Sequence, residues 1–172
     1  IPYVELIGYE ADDLIASYSR AAQKENMKVT IVSSDKDLMQ LVSDNVSMLD
    51  TMKNKIVQKG EVYEKFGVYP EKVIDVQSLA GDSVDNIPGV PGIGIKTAAL
   101  LINEYGNLDG LFKNAESIKQ KKRRENIIEF EEQAYLSKKL VTLRDDVPLP
   151  IPIQETGPVS YTHLTLPTIK RV

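Results

Sequence analysis

Cysteine is absent from the 172 residues, which excludes disulfides, thiolate nucleophiles and zinc–thiolate sites. Histidine occurs once, as His163, so histidine acid–base chemistry would rest on one residue close to the C-terminal end. No apolar run approaches the roughly 20 residues of a membrane span. Neither sign of charge is in large excess: 21 bases against 25 acids give a net charge of −4, which on average disfavours a nucleic-acid partner. What remains is the balance of a globular chain, 42% hydrophobic and 27% charged. The length suits one domain of ordinary size, or a larger and a smaller lobe.

The mean charge hides an uneven distribution. "KQKKRRE" (Lys119 to Glu125) is a basic block, whereas "EADD" and "DKD" are acidic knots. If the seven carboxylates of three such clusters were neutralised by bound cations, the 21 bases would outnumber the remaining 18 acids. The rest of the surface would then be slightly positive.

Apolar periodicity organises the chain. Ala11, Leu14, Ile15, Tyr18, Ala21 and Ala22 recur at helical spacing, predicting an amphipathic helix over Glu10 to Lys24. "KVTIVSS" reads as a short buried strand and "DKDLMQLV" as a helix starting at its end. "VSMLD" and "KIVQ", separated by a "TMKN" turn, read as a hairpin or two short strands. This order predicts an α/β domain with a partly parallel sheet. From Gly60 the strand signals fade. "GEVYEKFG", "PEKVIDVQSLAG", "KTAALLINEYG", "LDGLFKN" and the polar run through "RRENIIEFEEQAYLSKKL" read as helical.

Three acidic constellations punctuate this pattern. Glu10, Asp12 and Asp13 crowd one turn at a helix start, where acids favour the macrodipole but repel one another. Asp35 and Asp37 stand where a buried strand ends, the edge at which open α/β sheets bind ligands. An N-cap would explain Asp35 or Ser34 but not the second aspartate. Asp82 and Asp85 lie in "GDSVDNIP", where turn or capping roles are ordinary. Taken together, the three sets can converge into a pocket of hard oxygen ligands suited to Mg2+ or Mn2+. Two such ions clamping the attacking and leaving oxygens are a recognised solution for phosphodiester hydrolysis.

The loop "GVPGIGIKT" nearly matches a nucleotide-binding P-loop. Ile95, however, separates Gly94 from Lys96, no apolar strand precedes it, and Pro88 and Pro91 remove amides that such a loop needs. A glycine hairpin between two helices is the alternative. Gly92 and Gly94 would let backbone N–H groups approach a phosphate oxygen, a contact independent of base sequence. A tight interhelical turn without a ligand explains the same residues.

"GYEADDLIA", "TIVSSDKDLMQLV", "LAGDSVDNIPGVPGIGIKTA" and "KKRRENI…LSKKLVTLRDDVPLP" together resemble the 5′-nuclease (flap endonuclease) domains of bacterial DNA polymerase I, in register from Ile1 to Pro150. The resemblance implies a Rossmann-like (PIN-like) α/β core followed by a helix–three-turn–helix lobe. It implies 5′-3′ exonuclease and flap endonuclease activity on DNA in replication and repair, with two Mg2+ or Mn2+ ions. Glu10, Asp12, Asp13, Asp35, Asp37, Asp82 and Asp85 match the metal-site carboxylates. Glu10, Asp12, Asp35, Asp37 and Asp82 among them are the expected catalytic set. Gly89, Gly92, Ile93, Gly94, Lys96 and Thr97 match the hairpin that grips duplex backbone. Lys121, Lys122, Arg123 and Arg124 would extend that grip, or form a solvated helix face. Carbonyls of Leu79, Ala80, Pro88, Val90 and Ile93 match a K+ site. A cytoplasmic monomer with DNA as partner and no membrane association is expected. The alternatives are a non-catalytic DNA-binding module and a 5′-nuclease without a polymerase.

The expected organisation is the C-terminal part of the nuclease core over 1–59, the helical lobe over 60–147 and the start of a linker over 148–157. The family's N-terminal strand, two further ligand aspartates and helical arch have no counterpart ahead of "GYEADDLIA", where only "IPYVELI" stands. Poor folding or a gap in the sheet, and weak or no hydrolysis by this segment alone, are therefore expected. Residues 158–172 read as a non-native, adapter-derived tail, the alternative being a native tail with little structure. The codons GTC TCT TAT ACA CAT CTG ACG CTG CCG ACG of a transposase-type sequencing adapter translate as Val159 to Thr168.

Overall fold

The computed structural model describes residues 3–156, so the adapter reading of residues 158–172 lies outside the described residues. Helix α1 (Ala11–Lys24) forms where the periodicity predicts it, with Asp12 and Asp13 in its first turn and Lys24 in its last. Leu14, Ala16 and Ala22 bury its apolar face. Strand β1 (Val29–Val32) comes next and pairs in parallel with β2 (Val46–Asp50). The "DKDLMQLV" stretch between them forms a 3-10 turn, Asp37–Leu41, rather than a full helix. Its chain turns extended at Val42, which keeps Leu38, Met39 and Val42 in the core.

β2 alternates buried and half-buried residues, the period of a strand. It continues into β3 (Lys55–Val57) through the predicted hairpin, giving the order β1-β2-β3. Buried Asp50 holds that turn by accepting the N–H groups of Met52 at 3.0 Å and Lys53 at 3.1 Å. Asn54 takes the left-handed backbone (φ 49°) that asparagine tolerates. Among the described residues β1 has a strand partner on one side only. Its free side opens on an apolar groove lined by Val4, Leu14, Tyr18, Ile31 and Ile153.

The rest is helical: α2 (Lys59–Phe66), α3 (Val73–Ala80), α4 (Ile95–Tyr105), α5 (Leu108–Lys113), α6 (Lys121–Glu129) and α7 (Glu131–Val141). Gly67 ends α2 in the left-handed region (φ 73°), with its N–H donating to Tyr63 O at 2.8 Å. The polar run after Ser117 divides into α6 and α7 at Phe130, which serves as end of one and start of the other. Fully buried Leu38, Met48, Phe66, Leu79, Ile102, Leu108 and Ile127 belong to one continuous core under both the sheet and the helices. The two lobes are therefore joined by packing and not only by chain.

The chain leaving the helical lobe, from Asp145 into the proline-rich stretch read as the start of a linker, is laid along α1. Ser17 Oγ accepts the Val147 N–H at 3.0 Å, Tyr18 Oη donates to Ile151 O at 2.8 Å, and Arg20 pairs with Asp145 at 2.6 Å. Val147 is buried.

Candidate metal face and DNA interface

The start of α1, the end of β1 and the turn after α3 bring the three acidic sets to neighbouring positions. Burial raises the Asp12 carboxyl above its ordinary value, and the charges of Asp35, Glu10, Asp37 and Asp13 raise it further. Burial also raises Asp37. The Gln77 amide opposes this by donating to Asp37 Oδ1 at 2.5 Å, while the charges of Asp35 and Asp85 add to it. Asp35 shapes its own loop: its N–H donates to Ser33 Oγ at 3.1 Å, and its Oδ1 accepts the Asp37 N–H at 2.9 Å. Ser33, Asp35, Lys36, Lys65 and Asp85 line an open cleft of about 520 Å³.

Asp82 is treated differently. Its Oδ2 pairs with the Lys36 ammonium, and its Oδ1 accepts the Val84 N–H at 2.9 Å. The Lys36 hydrogen bond holds the Asp82 carboxyl below its ordinary value, against the effect of burial. Asp13 turns toward the C-terminal strap, accepting the Arg144 N–H at 2.9 Å. Glu10 and Asp85 are exposed at the rim.

Among the described residues no three acidic or histidine side chains lie close enough to hold one ion. The donor set nevertheless fits hard divalent cations. It is all carboxylate, Asp12 and Asp37 within it are half-buried, and the charges of neighbouring carboxylates raise both. Sequence reading passed over the groups that organise the face. Lys36 had a readable signal, a cation placed between two aspartates. Gln77 had none, because it meets Asp37 across forty positions.

The glycine hairpin grows directly out of the Asp82 turn. Asp82 and Ile87 exchange backbone hydrogen bonds of 2.9 and 2.7 Å, closing the turn that carries Asp85 and left-handed Asn86 (φ 56°). Gly89 then crosses the backbone at Gly81 so closely that a Cβ on it would collide with the Gly81 nitrogen and Cα. Buried Ser137 of α7 accepts the Gly89 N–H at 3.0 Å, and Gln133 donates to Gly89 O at 2.5 Å. Asn126 of α6 donates to Pro91 O at 2.8 Å, which binds the basic helix to the hairpin.

Of the predicted backbone-binding residues, Gly92, Gly94 and Lys96 are exposed, Thr97 is half-buried, and Gly89 and Ile93 act as supports, Ile93 being buried. Gly94 begins α4 with no side-chain cap, leaving the first N–H groups of that helix open. Leu79 O already accepts the Val90 N–H at 2.7 Å, and Val90 O the Ile93 N–H at 3.1 Å. In the basic block Lys121 pairs with Glu125 at 3.8 Å and Arg124 with Glu116 at 3.9 Å. Lys122 and Arg123 have no ion pair among the described residues.

Known proteins carry the same two halves. The family model described as "5'-3' exonuclease, N-terminal resolvase-like domain" matches residues 1–67, and "5'-3' exonuclease, C-terminal SAM fold" matches residues 68–163. The chain belongs to the 5′-3′ exonuclease family. It is 59% identical to the DNA polymerase I of Rhizobium leguminosarum, over 87% of this chain and 15% of that protein. It is 38% identical to the 5′-3′ exonuclease of Buchnera aphidicola, over 90% of this chain and 56% of that one. This family member thus spans little more than half of the shorter relative. Among solved structures, the bacteriophage T5 flap endonuclease in a pseudo-enzyme–product complex with DNA and metal ions superposes with a TM-score of 0.77. That match has 28% identity and covers 84% of this chain and 53% of the other. The α/β core with a mixed sheet and the helical lobe of the family are both present.

Proposed function

We propose that this chain carries part of the metal site and the duplex grip of a 5′-3′ exonuclease and flap endonuclease, a hydrolase of DNA phosphodiester bonds in replication and repair. One observation carries the reading. Carboxylates from three segments far apart in sequence, Asp12, Asp35 with Asp37, and Asp82 with Asp85, neighbour one another beside a cleft, and the last pair runs straight into a glycine hairpin. The likeness to the T5 enzyme complexed with DNA and metal ions supports both halves of it.

Glu10, Asp12, Asp35, Asp37 and Asp82 are the residues that would hold two Mg2+ or Mn2+ ions, with Asp13 and Asp85 at the margin. When bound, such ions activate water and stabilise the leaving oxygen. The chain itself positions the substrate. The open N–H groups at Gly94 and the start of α4, with Lys96 and Thr97, hold a phosphate of the duplex backbone. Lys122 and Arg123 meet further phosphates, and K+ held by hairpin carbonyls would add a bridging charge. Because the grip and the carboxylates share the segment Gly81–Gly94, the distance between held and cut phosphates is built into one turn. We assign 5′ flaps and nicked duplex as substrates, for a monomeric cytoplasmic enzyme.

The test uses the parent-length protein that contains this segment. Anisotropy with a 5′-flap duplex in Ca2+ should show binding, and replacing Ca2+ by Mg2+ should release the flap strand. Binding with no cleavage in either Mg2+ or Mn2+ would assign the segment to a non-catalytic DNA-binding module instead.

A further inference from the structure

Lys36 stands between Asp35 and Asp37 in the sequence, and its ammonium pairs with Asp82, forty-six positions away. The Asp82 side chain is only 9% exposed and that of Lys36 33% exposed, so the pair is largely screened from water. Both oxygens of Asp82 are thereby taken: Lys36 holds Oδ2 and the Val84 N–H donates to Oδ1. A cation that approaches the Oδ2 oxygen therefore competes with the Lys36 ammonium for it.

We propose that Lys36 is the resident counter-cation of the metal face. It holds Asp82 in place before a divalent ion arrives, and it is exchanged for that ion. This inference rests on the reading of the carboxylate face as a divalent-metal site. Charge alone then has two consequences. Lys36 competes with metal, so it weakens metal affinity. It also compensates a nearly buried carboxylate, so it supports the metal-free fold. Once displaced, the ammonium enters the cleft beside Ser33, Asp35, Lys65 and Asp85.

Lys65 supplies the control, because it lines the same cleft and has no ion pair among the described residues. A merely general effect of positive charge would appear equally at both lysines. The experiment is calorimetric titration with Mn2+ alone, together with thermal melts in EDTA and in saturating Mn2+. It compares the wild-type chain with Lys36→Met, Lys36→Gln and Lys65→Met. Both Lys36 variants should bind Mn2+ roughly five- to tenfold more tightly, the scale of losing one partly exposed competing ion pair. Lys65→Met should stay within about twofold. In EDTA the Lys36 variants should melt below wild type, and saturating Mn2+ should close or reverse that gap.

The glutamine variant, whose amide can still donate to Asp82, carries the test if the methionine variant does not fold. Unchanged Mn2+ affinity in the folded Lys36 variants overturns the proposal, and so does an equal gain at Lys65. Mn2+ failing to bind any form of the chain overturns the metal-site reading itself, and the exchange with it.

Discussion

At the scale of single residues, the carboxylate face holds its members in opposed electrostatic states. Asp12 and Asp37 are lifted by burial and by neighbouring carboxylates, whereas Asp82 is held down by Lys36. The two states act in different pH windows. A carboxyl raised in the fold binds its proton more tightly folded than unfolded, so the metal-free fold gains stability as pH falls from neutral toward the ordinary carboxylate range of about 4. The depressed Asp82 contributes above its unfolded value and loses that contribution only as pH falls through its lower folded value. In EDTA, therefore, the melting temperature should rise on mild acidification. Asp37→Asn and Asp12→Asn should flatten that rise and should melt higher than wild type at neutral pH, each by roughly 2 °C. Saturating Mn2+ should abolish the advantage of both. Melts from pH 7 downward check this, and a wild-type profile that only falls on acidification, unchanged in the double variant, would sink it.

At the scale of elements, what could be read from sequence was whatever local periodicity or turn chemistry decides. The stripe of Leu14, Ile15, Tyr18 and Ala22 was enough for α1, and the "VSMLD" run before the "TMKN" turn for β2. The break at Phe130 was not legible, since neither glycine nor proline marks it and the polar run continues on both sides. The acidic clusters were visible as candidates. Their tertiary partners were not, because Asp13 with Arg144, Asp37 with Gln77 and Asp82 with Lys36 meet through packing between distant segments. The hairpin glycines show the same division between local and tertiary causes. All look alike in "GVPGIGIKT", but Gly89 (φ 58°) is fixed by its crossing of Gly81, while nothing lies within 4 Å of a Cβ at Gly94. Gly89→Ala should cost several kcal/mol, since both the left-handed backbone and the contact with Gly81 oppose it. Gly94→Ala should leave stability within about 1 kcal/mol. It should weaken duplex binding all the same, because its methyl group stands where a phosphate would approach. Urea melts paired with anisotropy separate the two. A Gly94→Ala protein that binds as wild type would remove that amide edge from the interface.

At the scale of the whole molecule, a net charge of −4 and a DNA partner are compatible only if the charges are segregated. The structure ties the two sets to one segment. Asp82 lies at one end of the Gly81–Gly94 segment, and α6, which begins with the basic block, is bound to the hairpin through Asn126 and Pro91. Lys121 and Arg124 spend their charge on Glu125 and Glu116, which leaves Lys122 and Arg123 as the cations of this helix without an ion pair among the described residues. Exposed cations that merely solvate a helix leave no trace in the salt dependence of binding, whereas each phosphate contact displaces a counterion. The slope of log K against log salt is about −0.9 for every phosphate neutralised on duplex DNA. Replacing Lys122 and Arg123 together by alanine should therefore flatten the slope by up to about 1.8, measured by anisotropy across a salt series in Ca2+. Replacing Lys121 alone should change it by much less, since its ion pair must break before it can contribute. Equal slopes for wild type and the double variant would confine the grip to the hairpin and return α6 to the role of a solvated support.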